Sequence, residues 1–300
     1  MRELTEGPRE RRGAAFAVTA LFVGAACIGT SALWVKVSET GPVSTAFWRV
    51  FLALPLLWAW ALAVRGRRAP AYRATERRLM LWAGLYFAGD LIVWHWSIVL
   101  TSVANATLLA NLAPIFVTLA AWILLHRTPS GRFLAGLATA LAGMAMLVEG
   151  DFRLGGSEVL GDTLGVVSAI FYAGYQLVVT RLRASASTAS IMAWSGAITA
   201  AVVLPLALAS GEQFLPLTGG GWSKLIALAL VSQVVGQSLI AYAMAHLPTT
   251  FSSVGLLFQP VMATLFAWML LGETLGWLAL AGAVTVLIGI RLVHQAETVH

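Results

Sequence analysis

Charged residues fall in short clusters along this chain, and the intervals between them are apolar over lengths that demand a membrane. From Leu91 to His126 there are 36 residues without Asp, Glu, Lys or Arg, and from Leu225 to Gly272 there are 48. A helix of 36 residues would reach roughly 54 Å, far beyond a hydrocarbon core of about 30 Å. Each stretch must therefore fold back once, and the turns are predicted at Leu100-Thr101-Ser102 and His246-Leu247-Pro248. In lipid, backbone polar groups must be satisfied within the segment, so the spans are helices rather than strands. The rest of the chain reads the same way, giving ten spans at 14–36, 45–64, 79–99, 103–125, 132–148, 162–180, 190–209, 224–244, 250–271 and 275–293.

The pattern repeats. Laid over residues 260–293 at a constant shift of 146, residues 114–147 are identical at 14 of 34 positions. The matches include Pro114/Pro260, Thr118/Thr264, Trp122/Trp268, Gly136/Gly282, Thr139/Thr285 and Gly143/Gly289. Two halves are expected, residues 1–150 and 151–300, each of five spans. Five is odd, so the second half must sit upside down relative to the first. Arg127 and its equivalent Glu273 differ in charge as such an inversion requires. The predicted fold is an all-α membrane protein of ten transmembrane helices in two inverted five-helix repeats. Inverted repeats place a binding site at their interface, open to each side in turn.

Composition agrees with this: 59% of residues are hydrophobic and 11% charged. The net charge of +6 reflects orientation. With the N-terminus inside, 15 Lys and Arg fall on the cytoplasmic side and Lys36, Arg153 and Lys224 outside. Both termini are therefore expected in the cytoplasm, with the chain in a bacterial-type inner membrane. Arginines that flank helices need no nucleic-acid partner. Cys27 is the only cysteine, which excludes intrachain disulfides and cysteine-based metal sites. No metal or cofactor is expected, and a monomer is.

Polar groups inside spans cost roughly 2.5–3.5 kcal/mol for a charge at the helix centre, so each needs a reason. Asp90 lies in the middle of span three and shares a helical face with Tyr86, Trp94 and Ser97. It is either a solute or proton site or a structural carboxylate bonded to a neighbouring helix. His95 is about 140° further round the helix; such a residue more often packs than lines a pathway, yet it stays a candidate. Span six places Ser168, Tyr172, Tyr175 and Gln176 in one arc, and span one carries the matching stripe Cys27, Ser31 and Trp34. Gln233 and Gln237 share a face of span eight, and Asn105 and Asn111 in span four and Gln259 in span nine complete the polar set. Each amide could equally bond between helices. Aromatic faces beside amides suit an organic solute rather than a bare metal ion. Arg49, after Phe47-Trp48, is expected to snorkel to the outer surface. Pro114 and Pro260 each remove an intrahelical bond in mid-span, which should free the carbonyls of Ala110 and Leu256 and make the pair candidate hinges. The glycines of spans five and ten are read as packing faces.

The run Ser252-Ser253-Val254-Gly255-Leu256-Leu257-Phe258-Gln259-Pro260, then Leu271-Gly272-Glu273 and Gly282 to Gly289, resembles the EamA-type repeat of the drug/metabolite transporter superfamily. The first half carries Ser102-Val103-Ala104-Asn105-Ala106-Thr107-Leu108-Leu109 and Pro114, and departs at His126-Arg127, where the repeat usually reads Gly-Glu. The resemblance implies ten helices, a cavity lined mainly by spans one, three, four, six, eight and nine, and secondary transport. The aromatic amino-acid exporters are the branch expected, with drugs or cations and nucleotide sugars as alternative cargoes. A membrane-embedded enzyme would need a constellation such as His-Glu-x-x-His or Gly-x-Ser-x-Gly, and neither is present. A channel would more usually carry rings of like charge or a filter loop.

Overall fold

The structure, a computed structural model, describes residues 8–65, 72–101, 103–126, 128–147, 159–272 and 274–298. Arg127, Glu273, the side chain of Asn105 and the expected boundary at 150 lie outside the described residues. All regular structure among those described is helical.

Among the described residues the helices line up as ten rods, several of them broken. They are α1 (Pro8–Gly29, Ser31–Lys36), α2 (Pro42–Phe51, Leu54–Arg65), α3 (Ala74–Leu100), α4 (Val103–Ala110, Ala113–Leu125) and α5 (Gly131–Leu147). Then come α6 (Val159–Leu182), α7 (Thr188–Ala209), α8 (Gly219–Ala227, Leu228–Gly236, Gln237–Ala243), α9 (Thr249–Gly255, Phe258–Leu271) and α10 (Trp277–Thr298). Eight rods or parts of them are long and apolar enough to cross a bilayer; α5, at 17 residues, is shorter, and α3 carries Asp90 and His95. The reversals after Leu100 and at 244–248 fall where the charge-free stretches demanded them.

Each break has a local cause. In α4 the helix stops at Asn111-Leu112 and restarts with Pro114 in its first turn, where a missing N–H does no harm. In α9 it stops at Leu256-Leu257, just before Pro260. Thr118 and Thr264, equivalent by the 146-residue shift, each return a hydroxyl to their proline's carbonyl, at 2.7 and 3.0 Å. One expectation is corrected here: the Leu256 carbonyl is not free, because the break tightens the turn and lets it accept Gln259 N–H at 2.9 Å. In α8 the middle segment, Leu228–Gly236, is π-helical, and Gln237 N–H reaches back five residues to Ser232 O.

The packing is unchanged when the two halves are exchanged. The rod α1 packs on α8 and α9, while its counterpart α6 packs on α3 and α4; α2 meets its own counterpart α7, and α5 meets α10. The last pair shows the inversion directly. Gly136 faces Gly289 and Val293, and Gly143 faces Gly282 and Val286, so these equivalent helices run antiparallel. Only a two-fold axis across the helices relates such a pair. A Cβ at Gly143 would lie 2.5 Å from Val286 N and 2.7 Å from Gly282 O, so glycine is what permits the backbone contact.

Candidate functional site

A cavity of about 150 Å³ is lined by residues of both halves. From the first half come Ile28, Gly29 and Ser31 of α1, Arg49 of α2, Phe87, Asp90, Leu91 and Trp94 of α3, and Thr107, Ala110 and Asn111 of α4. The second half adds Tyr172 of α6, Gln237 of α8, and Gln259, Pro260 and Ala263 of α9. The broken rods shape this space. At the breaks in α4 and α9 Asn111 and Gln259 turn toward it, and the bend at Thr30 does the same for Ser31. Thr30 is held by its hydroxyl, which donates to Cys27 O at 2.7 Å.

Arg49 overturns its expectation. It is 7% exposed and points into the cavity rather than to the surface. The segment Pro42–Phe51 packs against α7 and α8, so Arg49 faces the bundle, and its Nε donates to Gln233 Oε1 at 3.2 Å. Trp48 does anchor at that end, through Nε1 to Phe214 O at 2.7 Å. Asp90 does bond to a neighbouring helix, its Oδ1 accepting the Ser168 hydroxyl at 2.7 Å, and the residue also lines the cavity. Among the described residues, Ser31 Oγ and Gln237 Oε1 are buried with no hydrogen-bond partner, and both residues line the same space. A buried polar atom left so costs about 1–3 kcal/mol.

Other candidates lie elsewhere. Trp34 donates its ring N–H to Thr30 Oγ1 at 3.3 Å, beside the bend in α1. His95 is 2% exposed; its Nδ1 meets Leu91 O, its ring packs edge-on against Trp94, and it does not line the cavity. Tyr175 is buried behind the wall, stacked between Phe87 and Tyr172, with its hydroxyl on Met192 Sδ. Gln176 is buried without a partner and does not line the cavity. Gln233 reaches it only through Arg49, and Pro114 lies one turn past Asn111.

Toward the end that carries residues 126–130 and 248–250 lies a second space of about 650 Å³, lined among others by Thr118, His126, Ser130, Thr249 and Glu297. Along α4 and α6 a small cluster of Ala113, Val117, Ala169 and Ala173 has Leu112, Phe116, Tyr172 and Leu177 against it, of which Tyr172 lines the first space and Leu177 the second. The opposite end is tied by two glutamates that cap helices across the halves. Glu39 accepts the N–H groups of Leu217 and Thr218 and the Thr218 hydroxyl, and Glu212 accepts those of Val43 and Ser44. The Thr218 hydroxyl, those backbone N–H groups and Lys224 hold the Glu39 carboxyl below its usual range.

Apolar helices long enough to cross a bilayer, in two halves that close on a space lined by both polar and apolar side chains, are the build of a multi-span membrane transporter. The chain belongs to the EamA-like transporter family, which matches it twice, over residues 15–149 and 159–294. An uncharacterized transporter of Archaeoglobus fulgidus is 25% identical over 273 residues, 87% of this chain and 91% of that protein. A pseudopaline exporter of Pseudomonas aeruginosa is 26% identical, covering 70% of this chain and 72% of its own. A protein of Streptantibioticus cattleyicolor named a probable terminal-alkyne amino-acid exporter is 25% identical over 68% of each chain. One crystal structure superposes with a TM-score of 0.80 over 95% of this chain and 98% of its own, at 18% identity, which shows the shared fold alone.

Proposed function

We propose that this protein exports amino acids, aromatic or neutral ones foremost, and related small metabolites across a bacterial-type inner membrane by alternating access. The observation that carries the reading is the central cavity, where polar atoms from both halves, unpartnered among the described residues, converge beside Trp94, Phe87 and Tyr172. A polar head can satisfy those atoms while an apolar side chain lies against the rings. The relative named for amino-acid export supports the cargo, and the exporter names support the direction. With both termini cytoplasmic, the glutamate-capped end faces outward and the second space faces the cytoplasm. The halves 1–150 and 151–300 then work as inverted units, with the breaks before Pro114 and Pro260 as hinges.

The test is uptake into proteoliposomes of a panel of radiolabelled amino acids, with and without a pH gradient. Saturable uptake of a neutral or aromatic member supports the reading, and the gradient arm separates proton-coupled from facilitative movement. A protein that moves none of the panel but does move a nucleotide sugar or a cationic drug would overturn the cargo.

A further inference from the structure

Arg49 and Asp90 are opposite charges that share one cavity without sharing a bond. Among the described residues Arg49 bonds only through Nε, to Gln233, and its terminal nitrogens are not sealed from the cavity it lines. Among the same residues Asp90 is held on one oxygen by Ser168, and its second oxygen is likewise unbonded and unsealed. No ion pair within 4 Å joins the two among the described residues. Two charges placed in a membrane interior ordinarily close on each other, because pairing offsets desolvation. Here each is propped by a neutral neighbour on its own side, and the gap between them is kept.

Resting on the export reading above, we infer that the cavity is built for a zwitterion, with Arg49 taking the carboxylate and Asp90 the ammonium group. The planar guanidinium presents a fork that matches a carboxylate, and Asp90 offers an acceptor to an N–H₃⁺ donor. The two site charges cancel, so a zwitterion enters without adding net charge to the interior of the membrane. A solute that bears only one of the two charges brings a net charge with it and leaves one wall unanswered. The site therefore selects for charge arrangement, and the ring faces select separately for the side chain.

The experiment compares L-phenylalanine with phenethylamine, which lacks the carboxylate, and 3-phenylpropanoate, which lacks the ammonium group. L-leucine is set beside 3-methylbutylamine and 4-methylpentanoate in the same way. Binding to the purified full chain in detergent is titrated for each. At least one zwitterion should bind ten-fold or more tighter than both of its analogues. Arg49→Gln should bring the preference over the amine to within about three-fold and leave the preference over the acid. Asp90→Asn should do the reverse. Arg49→Lys, which keeps the charge, should keep both preferences, and the wild-type ratios decide the matter alone if a variant does not fold. Equal binding of zwitterion and analogues by the wild type, or weakening of all ligands in proportion by both variants, would overturn the proposal. If amino acids are still taken up into proteoliposomes in that case, the export reading stands without it.

Discussion

Replacing Arg49 should separate stability from transport, because a charge kept for solute binding is a burden on the fold. The Arg49 backbone lies near the end of its span, but its guanidinium turns into the central cavity, where a charge costs about 2.5–3.5 kcal/mol. Against this stands the Arg49–Gln233 bond, at about 1.5–3 kcal/mol for a bond to a charged group. Arg49→Met alone also strands Gln233 Oε1, at roughly 1–3 kcal/mol, and is expected to fold with a lower or unchanged melting point. The double variant Arg49→Met, Gln233→Leu strands nothing. Its balance runs from roughly −0.5 to +2 kcal/mol in favour of the folded state. At about 2–4 °C per kcal/mol, its melting point should lie between about 2 °C below and about 8 °C above the wild type. The 12 tryptophans provide the fluorescence signal for unfolding in a single detergent, with uptake measured on the same preparation. Transport should be lost in both variants. A double variant that melts more than about 6 °C lower would make Arg49 structural, and one that transports at the wild-type rate would remove it from the site.

Four further outcomes are expected. Gly143→Val should destabilise the fold by about 1–3 kcal/mol and lower its unfolding midpoint, since the new side chain meets the Val286 and Gly282 backbone; an unchanged midpoint would show that α5 and α10 do not touch as described. The Glu39 carboxyl titrates below its usual range, so its contribution to stability is present above about 4.5 and is lost as pH falls through the lowered value. Melting points of wild type and Glu39→Gln should therefore differ at pH 7 and draw together as pH falls below about 4.5, and a constant gap would contradict the cap. Alanine at Tyr172, Asp90 or Gln237 should reduce transport per folded molecule, whereas alanine at Trp34, His95 or Gln176 should reduce folded protein; the reverse pattern, read from uptake normalised to monodisperse protein, would relocate the site. Pro114→Ala or Pro260→Ala should slow exchange while leaving equilibrium solute binding nearly intact, and unchanged exchange rates in both would make the prolines fixed breaks.

Much of the fold was legible because the solvent constrains it so strongly. Charge-free length alone located both reversals, and the 146-residue repeat marked glycine faces on α5 and α10 that prove to meet each other backbone to backbone. The candidate site was legible by helix face but not by depth. Asp90, Trp94, Asn111, Tyr172 and Gln237 reached the cavity because periodicity places a face correctly. Trp34, His95 and Gln176 did not, because a stripe does not tell a cavity wall from a helix seam. Arg49 was misplaced because a long side chain near a span's end can snorkel or turn inward, and the choice depends on Gln233, 184 residues away. The π-helical segment of α8 left no sign that a 3.6-residue period could detect, since its extra residue per turn only rotates the helix that follows.

Access to the central cavity from each side in turn is the claim on which the rest depends, and one cysteine can test it. In a Cys27→Ala background, Ser31→Cys places a single thiol at the cavity wall. Vesicles of known orientation are treated with a membrane-impermeant thiol reagent, from one face and then from the other, with and without the transported amino acid. The account predicts labelling from both faces and protection by the solute from both. Labelling confined to one face under every condition, or labelling that the solute does not slow, would contradict it.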